Sequence, residues 1–347
     1  MTKTRPVYPF SAIVGQEGMK EALLLNVINP SIGGVLIRGE KGTAKSTAVR
    51  ALADLLPERK VVAGCPCGCK WGDWDRACPI CIERREGGEE LKEMAVPMKV
   101  VELPLSSTED RVAGTLDIEH ALKTGKKKFE PGVLAKANGN ILYVDEVNLL
   151  DDHLVDLLLD AAAMGTNFVE REGVSFAHPA RFTLVGTMNP EEGDLRPQLL
   201  DRFGLLVDVK AEQDAPNRME VIRRRISFER DPEGFCEEHR EAQEDLRNEI
   251  LAAQRRLADL AVNDEVLETA VEISLHLGVD GHRADLTLVK AALASAALWG
   301  KERVGREDVI KVSPLVLPHR MRRGPFQDSK LDMKELGDWL QERFLPA

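Results

Sequence analysis

The stretch Gly39-Glu40-Lys41-Gly42-Thr43-Ala44-Lys45-Ser46-Thr47 joins small residues to a lysine and hydroxyls, the types a chain needs to hold a polyphosphate. Small residues let backbone N–H groups curl around phosphate oxygens, and a helix opening at Lys45 adds its partial positive charge. Lys45 can reach the β- and γ-phosphates, and the Ser46 hydroxyl can ligate Mg²⁺. The usual pattern has glycine before the lysine. Ala44 stands there instead, and alanine disfavours positive φ.

A second group of residues could complete ATP hydrolysis. Ile141-Leu142-Tyr143-Val144 reads as an apolar strand, and it ends in Asp145-Glu146. Two adjacent acids at a strand end can divide the labour: Asp145 holds the Mg²⁺ shell, and Glu146 orients and polarises the attacking water. Taken alone, such a pair is often just solvated, but downstream of a phosphate loop it points to hydrolysis. Asn189, in Thr187-Met188-Asn189-Pro190, offers an amide at a strand tip that could bond the water or the γ-phosphate. The bland reading is an Asn-Pro turn. Arg202, in Leu195–Phe203, could stabilise charge developing in a neighbour's site, where the bland reading is a surface ion pair. Arg283, at the start of a helix, could reach back to the phosphates.

A third group is sulfur. Cys65-x-Cys67-x-Cys69, then eight residues, then Cys78-x-x-Cys81 fill a short stretch near 64–82. Four thiolates suffice for tetrahedral Zn²⁺, an Fe–S cluster also takes four, and redox or inert thiols are the competing readings. Cys236 stands apart.

These residues need a scaffold. The first two-thirds alternate short apolar runs with helical patterns, as in a parallel α/β sheet. The expected strands are Val35–Arg38, Lys99–Leu103, Ile141–Val144, Phe182–Gly186 and Leu205–Val209. The last third reads as helices only, with Asn263 as an N-cap and Gly278 as a stop. The spacing therefore predicts an α/β nucleotide domain over 1–210, a charged bridge over 211–244 and an all-helical domain over 245–347. The 347 residues carry a formal charge of −11, which argues against nucleic acid as a partner. Lys126-Lys127-Lys128 reads as a solvated loop. No run reaches the ~18 apolar residues that span a bilayer, and no signal peptide is visible, so a cytoplasmic protein is expected.

In this order the motifs resemble those of AAA+ P-loop ATPases. The match is closer to the I subunit of magnesium chelatase, carried by Ile13-Val14-Gly15-Gln16-Glu17, Asp145–Leu150, Val185–Gly193, Leu195–Gly204 and Gly281–Leu286, and it covers about Tyr8 to Pro318. The resemblance implies an αβα nucleotide domain with a parallel sheet, followed by a helical lid. It makes Gly39–Thr47 the Walker A loop, with Asp145 and Glu146 as Walker B. Asn189 becomes sensor 1, Arg202 the arginine finger and Arg283 sensor 2. Family inserts fall near Leu105–Val133 and Asn167–Pro179. It implies hexameric rings with ATP between subunits, a D-type partner with an integrin-like domain, and a large H-type subunit that inserts Mg²⁺ into protoporphyrin IX. The integrin-like metal motif Asp-x-Ser-x-Ser is missing from this sequence, so a D-type partner would be a separate chain. Related ATPases serve a cobalt chelatase for corrinoids or, like the MoxR type, mature metalloenzymes; Ala44 leans toward the cobalt-associated or uncharacterised relatives.

Overall fold

The computed structural model describes residues 6–116, 129–171, 174–321, 337–339 and 342–343. The basic run Lys126–Lys128 lies outside the described residues. The strands are β1 (Val35–Gly39), β2 (Arg59–Val62), β3 (Glu93–Val96), β4 (Val100–Glu102), β5 (Gly114–Leu116), β6 (Phe129–Pro131), β7 (Ile141–Val144), β8 (Thr166–Arg171), β9 (Val174–Pro179), β10 (Thr183–Met188) and β11 (Leu205–Val209). Five of them form a parallel sheet in the order β11-β1-β10-β7-β4. Each of these five overlaps one of the strands expected from the sequence. β7 and β10 are buried along their whole length, which explains why they read as unbroken apolar runs rather than alternating ones.

The remaining strands pair as three antiparallel ribbons, β2-β3, β5-β6 and β8-β9. The last two fall in the stretches expected to hold inserts.

The chain divides into two compact units. One comprises Met1–Gln16, Ile37–Leu195 and Val209–Arg247, the other Glu17–Leu36, Arg196–Asp208 and Asn248–Ala347. Residues 211–244, read from sequence as a bridge, carry the helices Ala215–Arg230 and Pro232–Glu238 and belong to the first unit. Tyr8 packs on Phe228 and Phe235, with ring centroids at 5.2 and 5.4 Å. Those rings fix the helix Ala215–Arg230 to the N-terminal segment.

The second unit is helical around Arg283–Leu298, which packs against Glu17–Ile28, Asp264–His276 and Arg306–Val316. Its buried face is mostly alanine, including Ala284, Ala291, Ala292, Ala296 and Ala297, so the helix axes can approach closely. Asn263 caps Asp264–His276 by accepting from the Val266 N–H at 2.9 Å. Gly278 leaves that helix with φ +63°, the left-handed stop expected of it. No helix among the described residues is long and apolar enough to cross a membrane.

The phosphate-binding segment follows β1 directly. Gly39 must be glycine, because an added Cβ would sit 2.1 Å from the Val209 carbonyl oxygen. Gly42 has φ +85°. Ala44 has φ 61° and stands at the N-cap of the helix Lys45–Leu55. The loop therefore imposes its left-handed turn on a residue with a Cβ, at ~1–2 kcal/mol. Ala44→Gly should recover part of this, offset by the greater freedom of glycine in the unfolded chain, for a net gain of about 0.5–1 kcal/mol. The expected readout is a higher urea midpoint at unchanged m-value; a lower midpoint would mean that the methyl group packs favourably.

Candidate functional site

A cleft of about 920 Å³ opens in the first unit. Lys41 to Thr47, Tyr143, Asp145, Glu146, Thr187 and Asn189 line one side. Ile13, Val14, Val221 and Ile222 give it an apolar wall, and Arg218 and Arg225 add charge. The phosphate loop, the acid pair and the strand-tip amide are thus brought together as the sequence predicts.

Their geometry follows from the sheet. β7 and β10 run parallel with Gly186 opposite Val144, so Asp145-Glu146 and Thr187–Asn189 leave the sheet side by side. The Thr187 hydroxyl donates to Asp145 Oδ1 at 2.5 Å and accepts from the Glu146 N–H at 3.1 Å. Tyr143 donates its hydroxyl to the same Asp145 oxygen at 2.9 Å, and burial pushes the Tyr143 pKa up. Asp145 is thereby fixed through Oδ1, with Oδ2 left for a cation. Glu146 adopts φ 52°, a strained turn for a non-glycine residue, and its N–H bond to Thr187 holds it there. Asn189 is buried, and its side-chain oxygen accepts from the Glu191 N–H at 3.3 Å. That leaves the amide nitrogen as the donor for phosphate or water.

Lys45 donates to the Gly39 carbonyl and, at 3.1 Å, to that of Glu40. Burial pushes its pKa down, and the carboxylates of Asp145 and Glu146 push back. Lys41 pairs with Glu192 at 2.6 Å and Glu146 at 3.3 Å, contacts that raise its pKa. A triphosphate fits this donor set. The loop has open space at Gly42, and Lys45 lies against backbone carbonyls that a phosphate oxygen would outbid as a partner. Ser46 and Asp145 offer the oxygen ligands that Mg²⁺ takes.

Arg202 and Arg283 belong to the second unit. Arg283 Nη1 donates to Asp201 Oδ2 at 2.6 Å. Sequence reasoning missed Arg320, whose side chain is 1% exposed. It donates to the carbonyls of Phe203 at 2.6 Å, Gly204 at 3.0 Å and Asp201 at 3.2 Å, clamping the turn that carries Arg202. Burial pushes its pKa down to about 10. Thr187 and Tyr143 were also missed as partners of the acids, and Glu192 as a partner of Lys41. The only sequence signal was Thr187's place two residues before Asn189.

Of the five clustered cysteines, Cys65, Cys69, Cys78 and Cys81 bring their sulfurs within 4.8 Å of one another. Cys67 is buried and is not one of those four. Hydrogen bonding from Cys67 and then Cys69 holds the Cys65 thiol far below its ordinary range.

Comparison with known proteins agrees with the geometry. A family model described as magnesium chelatase, subunit ChlI matches residues 115–198, and one for the AAA lid domain matches 267–338. The chain is 56% identical to a magnesium-chelatase subunit ChlI homolog of Methanocaldococcus jannaschii, covering 97% of this chain and 91% of the relative. It is 52% identical to the magnesium-chelatase 38 kDa subunit of Rhodobacter capsulatus, covering 94% and 91%. A solved complex between BchI and BchD of magnesium chelatase contains a chain 51% identical, covering 92% of this chain and 98% of that one at a TM-score of 0.55. A putative ATPase of Cytophaga hutchinsonii, 16% identical, covering 94% and 90% at a TM-score of 0.62, shares the fold.

Two substitutions check this account. Thr187→Val removes one hydroxyl that serves both acids; it should leave ATP binding within about twofold but lower kcat by about tenfold or more. Equal losses in binding and turnover would mean that Thr187 supports the whole loop. Arg320→Met removes the buried guanidinium's bonds to the Asp201, Phe203 and Gly204 carbonyls and should destabilise the chain by about 2–4 kcal/mol, read as a lower thermal midpoint.

Proposed function

Since the chain belongs to the magnesium-chelatase ChlI family of AAA+ ATPases, we propose that its ATP hydrolysis drives Mg²⁺ insertion into protoporphyrin IX. The observation that carries this reading is the convergence of Lys45, Asp145, Glu146 and Asn189 on one cleft. Relatives at 50–52% identity are named magnesium-chelatase subunits, and one at 56% a ChlI homolog, which favours this reading over cobalt insertion into corrinoids or MoxR-type maturation.

In this reading the loop N–H groups and Lys45 hold the β- and γ-phosphates, while Ser46 and Asp145 hold Mg²⁺. The bound cation offsets the phosphates' charge. Glu146 accepts a proton from the attacking water, and the strained turn at φ 52° aims its carboxylate. The Lys41 contact at 3.3 Å occupies one Glu146 oxygen, so a γ-phosphate that draws Lys41 away would free the base. Asn189 orients the water. The apolar wall of Ile13, Val14, Val221 and Ile222 suits the faces of a planar base.

Arg202 acts in trans on a neighbour's γ-phosphate, and Arg283 reads the nucleotide from the helical lid. That division requires a ring, with six subunits as the family expectation. A D-type chelatase subunit is the partner supported by the solved BchI–BchD complex. A large H-type subunit would hold the porphyrin, and the cytoplasm is the compartment proposed for the assembly.

The test begins with two variants. Lys45→Ala should lose ATP binding in a calorimeter, and Glu146→Gln should bind ATP but barely hydrolyse it, because an amide cannot accept the proton. Near-normal turnover by Glu146→Gln would assign the base elsewhere. Arg202→Ala should also bind and fail to turn over, losing about 10³-fold in rate. Mixed rings of Arg202→Ala and Glu146→Gln chains should regain part of the ATPase activity. No recovery, with mixed rings confirmed by mass, would place Arg202 in cis. An insertion assay with D- and H-type subunits, protoporphyrin IX and Mg²⁺ or Co²⁺ then decides the metal.

A further inference from the structure

The cysteine-rich segment contains chemistry that ATP hydrolysis does not use. β2 runs into a tight turn in which Cys65 N–H donates to the Val62 carbonyl at 3.1 Å, and Val62 N–H to that of Cys69 at 2.9 Å. Gly68 turns the chain with φ +55°. This folding sets the Cys65 and Cys69 side chains together. Cys78 stands at the N-cap of the helix Pro79–Glu86, and Cys81 lies in its first turn, so the second pair is fixed by helical geometry.

The sulfurs are poised as ligands rather than bonded to one another. Every cysteine is a free thiol, and Cys65 and Cys78 hold their sulfurs 3.7 Å apart, against the ~2.05 Å of a disulfide. A tetrahedral ion with ~2.3 Å metal–sulfur bonds separates its ligands by ~3.8 Å. Backbone N–H groups also point at sulfur: Cys69 donates to Cys65 Sγ at 3.5 Å and Cys78 to Cys69 Sγ at 3.2 Å. Such bonds stabilise sulfur carrying negative charge.

We propose that Cys65, Cys69, Cys78 and Cys81 bind one structural Zn²⁺ in a closed tetrahedral site. An iron–sulfur cluster distributes its thiolates over several irons and needs a wider frame than a group whose sulfurs all lie within 4.8 Å. Four protein ligands leave no open position for substrate, which marks the site as structural.

The surroundings say what the metal holds together. Cys69, Cys78 and Cys81 are buried in one apolar cluster with Leu116 and Phe129 of β5-β6 and Val169 and Phe176 of β8-β9. Phe129 and Phe176 stack at 4.3 Å. The Cys67 carbonyl accepts from Asn138 Nδ2 at 2.8 Å, and Asn138 Oδ1 accepts from the Arg181 N–H at 3.0 Å. Asn138 and Arg181 precede β7 and β10, whose other ends bear the hydrolytic residues. The metal thus pins a platform beneath two ribbons, at the opposite end of the sheet from the phosphate loop.

Elemental analysis of the full chain, purified anaerobically without chelator, should find about one zinc ion per chain. Cys78→Ser should drop this below about a tenth, while Cys67→Ser and Cys236→Ser keep it. Titrating the wild-type protein with an organomercurial should release the zinc as the cluster thiols react, a measurement that needs no folded variant. Amide exchange should then rise in β8-β9 and stay unchanged in Gly39–Thr47. Zinc below about a tenth of an equivalent in the wild-type chain would overturn the proposal. So would iron accompanied by inorganic sulfide, or a Cys67→Ser chain that loses its metal as Cys78→Ser does.

Discussion

The cleft depends on the parallel register of β7 against β10. Thr183 sits opposite Ile141, and Gly186 opposite Val144, so Asp145 follows β7 at the level of Thr187. That alignment lets one hydroxyl, on Thr187, reach Asp145 Oδ1 and the Glu146 N–H together. A slip of one residue would turn every side chain of the strand to the other face and separate the acids from their support. The register is well specified because both strands are buried throughout; no shifted pairing buries the same apolar set.

Strain in this site is local and has identifiable restraints. Ala44 and Glu146 both take positive φ, each at a cost of about 1–3 kcal/mol. Ala44 is held because Gly39 fits tightly under Val209 at one end of the loop, while its own carbonyl accepts from the Ala48 N–H at 2.9 Å at the other. Glu146 is held by Thr187 and, through its side chain, by Lys41. The two strained residues flank the space where the phosphates and the water would lie, so the chain's stability elsewhere supports a geometry that the isolated segments would not keep.

Much of this was legible in the sequence, and the limits have physical causes. The phosphate loop, the acid pair and the five sheet strands are written in contiguous residues, so their types and order suffice. Thr187 as a support for the acids, and Arg320 as a clamp on the Asp201–Gly204 turn, arise from contacts between residues far apart in the chain, and no local pattern announces them. The helix Ala215–Arg230 was hidden for another reason. Its ion pairs, Arg224 with Glu220 and Arg225 with Glu229, give it the composition of a solvated bridge, although Val221 and Ile222 line the cleft. Cysteine spacing likewise signalled a cluster but not its membership. Which four sulfurs lie within 4.8 Å of one another depends on the turn at Gly68 and the helix start at Cys78, and neither appears in the spacing.

Asp201 extends the argument to the second unit. Its Oδ2 accepts from Arg283 at 2.6 Å, and its Oδ1 lies 3.4 Å from Arg320 Nε. Arg320 also holds the backbone carbonyls on either side of the turn. Arg202 sits in that turn, next to Asp201. One carboxylate therefore ties the position of Arg283 to the backbone that presents Arg202. The pair with Arg283 is half-exposed and contributes little stability by itself; its weight is geometric. If Arg283 leaves Asp201 for a phosphate, the carboxylate loses that cationic partner while the buried Arg320 retains the turn. The turn is then held by hydrogen bonds to backbone that do not depend on nucleotide, and Arg283 is the member free to exchange partners. In the proposed reading Arg283 answers to its own subunit's nucleotide and Arg202 stays rigid for a neighbour's site, and the two can share a carboxylate if a third, buried group carries the structural role. Arg320 occupies that position.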